Sequence, residues 1–369
     1  MRSQMSQVVI IGCGVVGAAI AYELSLIPGL TITVLDKQPP AQAATGAALG
    51  VLMGAISHKI KGNAWKMRQA SIQRYETLIP ELEALLERQI PFNRQGILML
   101  CFAGEDLSHW ENLVEIRQSQ GWHLEIWDAA QLQSRCPQLS HEMIGAIYSP
   151  QDRQLDPVAL TLALVDAAQR NGVTFKFGVT VLEEEATNTD IRHIQTTAGQ
   201  VDVDWLIVAA GLGSTPFTAS LKQPIDIRPV LGQALHLRLA QPMGRADFQP
   251  TITGNDVHIV PVTETEYWIG ATVEFPNNGD EIVADAALLE KVKQQAIAFC
   301  PSLEEATIIK TWSGLRPRPE GRPAPVIGLL PGYSNVFLAT GHYRNGVLLA
   351  PATAQAIREL ITRSRNQDK

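Results

Sequence analysis

Between residues 8 and 36 the chain writes a strand, a glycine turn, a helix, a second strand and an acid: VVIIG, CGVVG, AAIAYELS, TITVL and Asp36. Few orders constrain a fold as tightly, because a parallel βαβ unit with GxGxxG at its first turn is built to hold an adenine dinucleotide. Gly12 permits the tight turn, Gly14 lets the backbone approach a pyrophosphate, and Gly17 lets the helix pack close to the strand. The first N–H groups of the helix then face the phosphates. Asp36 stands 19 residues after Gly17, where a carboxylate reaches the ribose hydroxyls. A lone GxGxxG is weak evidence, but here strand, helix, second strand and acid agree. The motif does not choose between NAD and FAD.

The stretch from residue 8 to 27 is almost wholly apolar, yet it does not read as a signal or membrane segment. Three glycines fall at fingerprint spacing, Glu23 interrupts the run, and no small-residue cleavage site follows. No later window is long and apolar enough to span a bilayer, so a soluble protein is expected. With 369 residues, 46% of them hydrophobic and 18% charged, the chain can build a large core over about two domains. A net charge of -7 without a cationic run argues against nucleic acid and anionic membrane surfaces as partners. Cys13, Cys101, Cys136 and Cys300 lack any metal-ligand spacing, which fits a reduced cytoplasm and no metal. Cys13 reads as a small filler of the glycine turn.

Further along, residues 64–89 show helical apolar periodicity with an interruption expected at Pro80. Trp65, Met67, Ile72, Tyr75 and Leu78 form its core stripe. Residues 96–102 read as a buried strand and 110–119 as a helix. Asp156 and Pro157 are an N-cap and first-turn pair opening a helix that ends at Asn171 and Gly172. Strands at 173–178 and 179–185 follow, so two βαβ-like passages are expected, one at the start and one near the middle. Strand-rich stretches at 231–239 and 257–271 come later, with no repeat and no low-complexity linker, which points to interleaved domains.

Four segments carry chemistry. DWLIVAAGLGS, 204–214, is a central strand whose carboxyl end is loosened by Gly211 and Gly213, where ligands collect in open α/β sheets. It is read either as a harmless glycine loop or as a second turn facing the same cofactor. AQAATGAALGVLM, 41–53, is a small-residue loop that either feeds a helix or closes on a pyrophosphate and a flavin ring, with Thr45 offering a hydroxyl. WSGLRPRP, 312–319, isolates Arg316 beside prolines, and GHYRNGVLLAP, 341–351, follows the strand NVFLAT from Gly341 and opens a terminal helix. A helix N-terminus there favours negative charge on a reduced flavin. Arg316 and Arg344 would make a fork for a substrate carboxylate, since guanidinium binds that group bidentately.

On VVIIGCGVVGAAIAYEL with Asp36, ATGAALG, LDPVAL, DWLIVAAG, GLRP with PVIG, and ATGHYRNGVLLAPATA, the chain resembles the D-amino acid oxidase superfamily of FAD enzymes. It is most similar there to the glycine oxidases of thiamine biosynthesis. The resemblance runs from residue 8 to beyond 350. It implies an α/β and α+β fold in which a FAD-binding Rossmann-like domain, at 1–90, 145–220 and 310–369, is interleaved with a mainly antiparallel substrate domain at 91–144 and 221–309. It implies FAD contacts at Val15, Val16, Asp36, Lys37, Ala44, Thr45, Leu49, Gly50 and Val51, and at Val181 through the backbone. Further contacts follow at His342, Tyr343, Arg344, Asn345, Gly346, Val347 and Leu348. Arg316 would bind the substrate carboxylate with Arg344 beside it. No cysteine aligns with a flavin attachment site, so noncovalent FAD is expected.

Departures from the family bear on substrate. His258 stands where the family's carboxylate-holding tyrosine aligns, Asp256 where close glycine oxidases show histidine, and Val273 in place of a larger methionine. More room above the flavin admits glycine, sarcosine or a small D-amino acid. The implied mechanism is hydride transfer from the substrate α-carbon to flavin N5, with no dedicated catalytic base, then hydrolysis of the imino acid and return of the flavin by oxygen with release of peroxide. The alternative keeps the fold and passes electrons from an amino acid or 2-hydroxy acid to a quinone. A nicotinamide dehydrogenase leaves GHYRNG and the paired arginines unexplained, and no extra domain supports a non-catalytic or RNA-modifying role. Relatives commonly form homo-oligomers.

Overall fold

The computed structural model describes residues 5–186, 189–276 and 282–367. A six-stranded sheet carries the opening motif: β1 (Ser6–Ile11), β2 (Leu30–Asp36), β9 (Thr174–Phe177), β13 (Trp205–Val208), β19 (Val326–Leu329) and β20 (Val336–Thr340). Their order is β19-β20-β13-β1-β2-β9, parallel throughout except for β19. Strand periodicity sends Val8 and Ile10 to one face and Val9 to the other. On the first face pack α1 (Val15–Ser25), α2 (Gly62–Leu86), α5 (Pro157–Arg170) and α8 (Gly346–Gln367). On the second pack α6 (Ser214–Ser220) and a three-stranded antiparallel sheet of β10 (Val181–Ala186), β11 (Ile191–Thr196) and β12 (Gly199–Asp202).

A second large sheet has eight strands in the order β18-β14-β17-β16-β15-β5-β7-β6. They are β5 (Ile97–Cys101), β6 (Glu125–Asp128), β7 (Gly145–Ser149), β14 (Ile227–Arg238), β15 (Thr251–Gly254), β16 (Val257–Pro261), β17 (Glu266–Gly270) and β18 (Thr307–Pro319). Leu98, Ile252, Ile259, Ile269 and Leu235 share one face and form a core with α4 (Ala129–Arg135) and α7 (Ala286–Phe299). Pairing register then places Thr253, His258, Trp268, Ala234, Trp312 and Arg316 on the opposite face. That face roofs the site. A small sheet of β3 (Val51–Leu52), β8 (Arg153–Leu155) and β4 (Phe92–Asn93), and the helix α3 (Ser108–Ser119), complete the described elements of this kind.

Three expectations change. First, α2 runs through Pro80 without a break, because the proline ring lies on the solvent side of the helix. Second, the middle passage is not one βαβ unit. β8, before α5, pairs with β3 and β4, whereas β9, after it, pairs with β2 of the main sheet. Third, counted by sheet, β7 and β18 go with the roof, although the expected boundaries at 145 and 310 assign them to the nucleotide-binding part. The cause is the antiparallel pairing of β7 with β5 and the long pairing of β18 with β14. The Asp156 cap appears as expected, accepting from the Val158 and Ala159 N–H groups at 2.8 and 3.0 Å. No helix among the described residues is long and apolar enough to cross a membrane.

Helix α8 contains Pro351, which has no N–H for the Val347 carbonyl one turn earlier. The buried Tyr75 hydroxyl of α2 donates to that carbonyl at 2.5 Å, and Ser71 Oγ accepts the Ala352 N–H at 3.3 Å. Two α2 side chains therefore repair the ladder beside the first turn of α8. Tyr75→Phe leaves the carbonyl buried and unpaired, and should cost about 1–3 kcal/mol in urea unfolding. A change well below that range would mean the proline gap is satisfied in another way.

Candidate functional site

Strands β20, β13 and β1 lie side by side and parallel, so the turns at their carboxyl ends are neighbours. The turn after β1 holds Gly12 and Gly14, and Val15, Val16 and Gly17 open α1. Gly12 has φ +103°, and a side chain there would run into the Ala209 backbone. A Cβ at Gly17 would overlap the Gly12 carbonyl oxygen. Next comes the turn after β13, with Gly211 in a 3-10 segment at φ +56°. Thr340 Oγ1, at the end of β20, donates to the Gly211 carbonyl at 3.2 Å and accepts from Ser214 Oγ at 2.8 Å. Gly341 follows directly.

Asp36 ends β2, with the exposed Lys37 after it. Its carboxylate accepts from the Cys13 N–H at 2.6 Å and the Gln38 N–H at 2.9 Å, which ties the acid to the glycine turn. A carboxylate has about four acceptor positions, so capacity for hydroxyl donors remains. The Val179 N–H donates to the Asp36 carbonyl at 3.0 Å, which starts the chain toward Val181 beside this acid. Burial, then the charge of Asp36, pushes the Cys13 thiol up to about 12. That makes it an inert filler rather than a reactive thiol.

The small-residue segment makes turns and then β3, not a helix, and it links the glycine turn to the roof. Thr45 Oγ1 accepts the Val15 N–H at 3.0 Å, next to Ala44. Two residues on, the Ala47 carbonyl accepts from Trp312 Nε1 at 3.1 Å. Leu49 and Val51 then pack with Ala234, Val260, Trp268 and Trp312 beneath the roof, on either side of Gly50. Beyond them residues 54–59 are gripped from both sides. The fully buried Asp152 accepts the Gly54, Ala55 and Ile56 N–H groups at 2.7–2.8 Å. Arg117, stacked 3.7 Å over Trp65, donates to the Ala55, Ser57 and Lys59 carbonyls. Neither residue has a local sequence signal, and neither was expected.

At the far end of this path Arg316 projects from the roof. It makes no ion pair among the described residues, and its Nη1 donates to the Leu231 carbonyl at 3.0 Å. Its guanidinium lies across Gly232, where any Cβ would collide with it. Register brings these two together from 84 positions apart, and an isolated glycine inside a strand was the overlooked sign of a close approach. Burial, with Arg344 nearby, lowers the Arg316 pKa. On β16, His258 Nδ1 shares a 2.8 Å hydrogen bond with Thr253 Oγ1. Burial, helped by Arg344 and Arg316, pushes this imidazole down to about 4, so it is neutral near pH 7.

Residues 342–348 approach from below the roof. His342 is buried, and burial pushes it down to about 4. Thr353 spends its hydroxyl proton on the Leu349 carbonyl at 2.8 Å, so it accepts the His342 Nε2 proton at 2.9 Å. Tyr343 is held at φ +52°, Arg344 pairs with Asp256 at 3.1 Å, and Asn345 accepts from Arg68 at 3.4 Å. Gly346 begins α8, and the Val347 and Leu348 side chains sit in the main core. Val273 lies between Thr272 and Glu274, whose side chains bond each other and Gln233.

These features fit FAD. Gly12 and Gly17 let the turn close on the Ala209 backbone and on the start of α1, and α1 presents its N-terminus there without a charged cap. Asp36 stands at one end and a covered path under the roof leads to the other. A nicotinamide dinucleotide would use the first half and leave the second unexplained. Among the described residues no group of side chains could hold a metal ion.

Comparison with known proteins agrees. Residues 7–360 match the family described as FAD dependent oxidoreductase. The bifunctional protein ThiO/ThiG of Trichormus variabilis is 30% identical over 97% of this chain and 53% of its own length, so the chain spans about half of that relative. The glycine oxidase of Bacillus subtilis is 28% identical, covering 98% of this chain and 95% of that protein. The crystal structure of glycine oxidase from Geobacillus kaustophilus superposes with a TM-score of 0.87 at 26% identity, covering 97% of this chain and 95% of the other.

The two depressed histidines set a stability profile. His258 and His342 titrate near 4 in the folded chain and near 6.5 when unfolded, so unfolding takes up protons between those values. Stability is full above pH 6.5 and falls as pH drops, by about 1.4 kcal/mol per pH unit for each histidine. Urea midpoints measured from pH 7 to 5 should show this decline, and His342→Gln should make it shallower. An unchanged slope in that variant would mean that His342 is not held neutral by the fold.

Proposed function

Because this chain belongs to the FAD dependent oxidoreductase family, we propose that it oxidatively deaminates a small amino acid such as glycine, sarcosine or a small D-amino acid. The observation that carries the proposal is Arg316, a largely buried guanidinium with no ion-pair partner among the described residues, projecting from the roof toward Arg344 and a neutral His258. A guanidinium in that state retains donors for a planar carboxylate. The substrate's carboxylate is held there, which fixes its α-carbon, and the alignment of that carbon supplies much of the catalysis.

When bound, noncovalent FAD would supply the acceptor for a hydride from the substrate α-carbon and a route for its electrons to oxygen. The chain's own part is to hold and orient. The glycine turn with Val15, Val16, Asp36, Lys37, Ala44 and Thr45 would hold the adenine end, with Val181 beside it. Leu49, Gly50, Val51 and residues 341–348 would hold the flavin end. The N-terminus of α8, kept intact at Pro351 by Tyr75 and Ser71, directs its dipole at that end. The neutral His258 adds a hydrogen-bonding group without a second charge. The six-stranded sheet carries the cofactor-binding part and the eight-stranded sheet the substrate part.

Two variants test this. Arg316→Ala should retain FAD yet lose flavin reduction by amino acids by about a hundredfold or more, the scale of a lost charged contact that positions substrate. Gly232→Ala should push the same guanidinium aside, raising KM with FAD content unchanged. A peroxide assay over glycine, sarcosine, proline and both alanine enantiomers, run beside anaerobic flavin reduction, reads substrate and acceptor together. Flavin bleached by an amino acid without peroxide would indicate a quinone acceptor. Bleaching by 2-hydroxy acids alone would overturn the amino-acid reading, as would full turnover by Arg316→Ala.

A further inference from the structure

Arg344 is one half of the proposed carboxylate fork, yet it is already engaged. Its Nη2 lies 3.1 Å from Asp256 Oδ1, and the side chains are 34% and 73% exposed. The two come from opposite sides of the site. Asp256 sits on the hairpin turn between β15 and β16, in the roof, where Asn255 and Asp256 both have left-handed φ, +48° and +63°. Arg344 sits below, after Tyr343 at φ +52°. Asparagine and aspartate accept that conformation readily, but a bulky aromatic residue does so under strain. Strain of this kind persists where the surroundings hold it, and here it fixes the backbone that presents Arg344.

We propose that Asp256 is an internal competitor for the substrate carboxylate, holding Arg344 across the mouth of the site until a substrate's carboxylate displaces it. The inference rests on the reading of Arg316 and Arg344 as carboxylate ligands. Three facts support it. The pair is exposed, and exposed ion pairs are weak enough for a ligand to break. Asp256 contributes a carboxylate, the same group as the substrate, at a single oxygen, so an incoming carboxylate that meets both arginines makes the better contact. His258, on β16 two residues after Asp256, lies near both partners, since Arg344 lowers and Asp256 raises its pKa. Asp256 thus acts on affinity through Arg344, as a specificity-determining residue outside the reacting atoms. A substrate without a carboxylate would leave the pair closed.

The test is an anaerobic titration of the FAD-loaded protein with acetate, a carboxylate with no oxidisable amine, followed by the perturbation of the flavin absorption. The unaltered protein, Asp256→Asn, Arg344→Ala and the double variant are compared. Asparagine tolerates the left-handed turn, so the hairpin is preserved, and FAD content checks the fold of each form. Asp256→Asn should tighten acetate about fivefold, the range expected for removing one exposed ion pair. With an oxidised amino acid, KM should fall with kcat unchanged. In the Arg344→Ala background the same substitution should change nothing. Acetate bound equally or more weakly by Asp256→Asn overturns the competitor role and leaves the Arg316 reading standing. Tightening that persists without Arg344 overturns it too, as a general charge effect. Acetate that perturbs the flavin in none of the four forms overturns the carboxylate reading and this inference with it.

Discussion

The carbonyl of Ala209 occupies the space that a side chain at residue 12 would need, and the carbonyl of Gly12 occupies the space that one at residue 17 would need. Through these two contacts the turn after β1, the turn after β13 and the start of α1 close on each other with nothing between them but backbone. Thr340 extends the contact to the turn after β20 through the Gly211 carbonyl. An anionic cofactor placed on that edge meets N–H groups and a helix dipole rather than side chains. The roof is seated on the same edge, since Pro317 of β18 approaches Gly211 and Pro319 approaches Gly341.

The roof turns a nucleotide-binding edge into a site for chemistry. One face of the eight-stranded sheet is consumed by its own core with α7, so the other is free to carry Arg316, His258, Trp312 and Trp268 toward the first sheet. The path between is short and made of small residues, and Thr45, Ala47 and Leu49 each touch a different wall of it. Downstream that path is held by two buried charges acting on the backbone, Asp152 on its N–H groups and Arg117 on its carbonyls. Each charge has its hydrogen bonds met, which is what makes burial tolerable.

Much of this was legible in the chain. The opening unit, the capped helix at Asp156 and the terminal strand and helix all appear where their local patterns put them, because each is decided by neighbours a few residues apart. The middle passage was misread for the complementary reason. The strand β8 has the right length and place to precede α5 in a βαβ unit, but hydrogen bonding to β3 and β4 takes it into another sheet. Pro80 allows an interruption because a proline removes a donor, but its place on the solvent side of α2 makes that loss tolerable.

The sequence by itself determined a dinucleotide-binding edge and set Arg316 directly before a proline in a segment that cannot stay helical, because turn glycines and proline restrictions are local facts. Only the tertiary structure decided what Arg316 rests on, what Arg344 holds and whether His258 carries a charge. Gly232 meets Arg316 through strand register across 84 residues, and the turn that carries Asp256 meets Arg344 across 88, separations that no local pattern encodes. Electrostatics and steric clearance depend on distance in space, and distance in space is set by pairing between strands far apart in the chain.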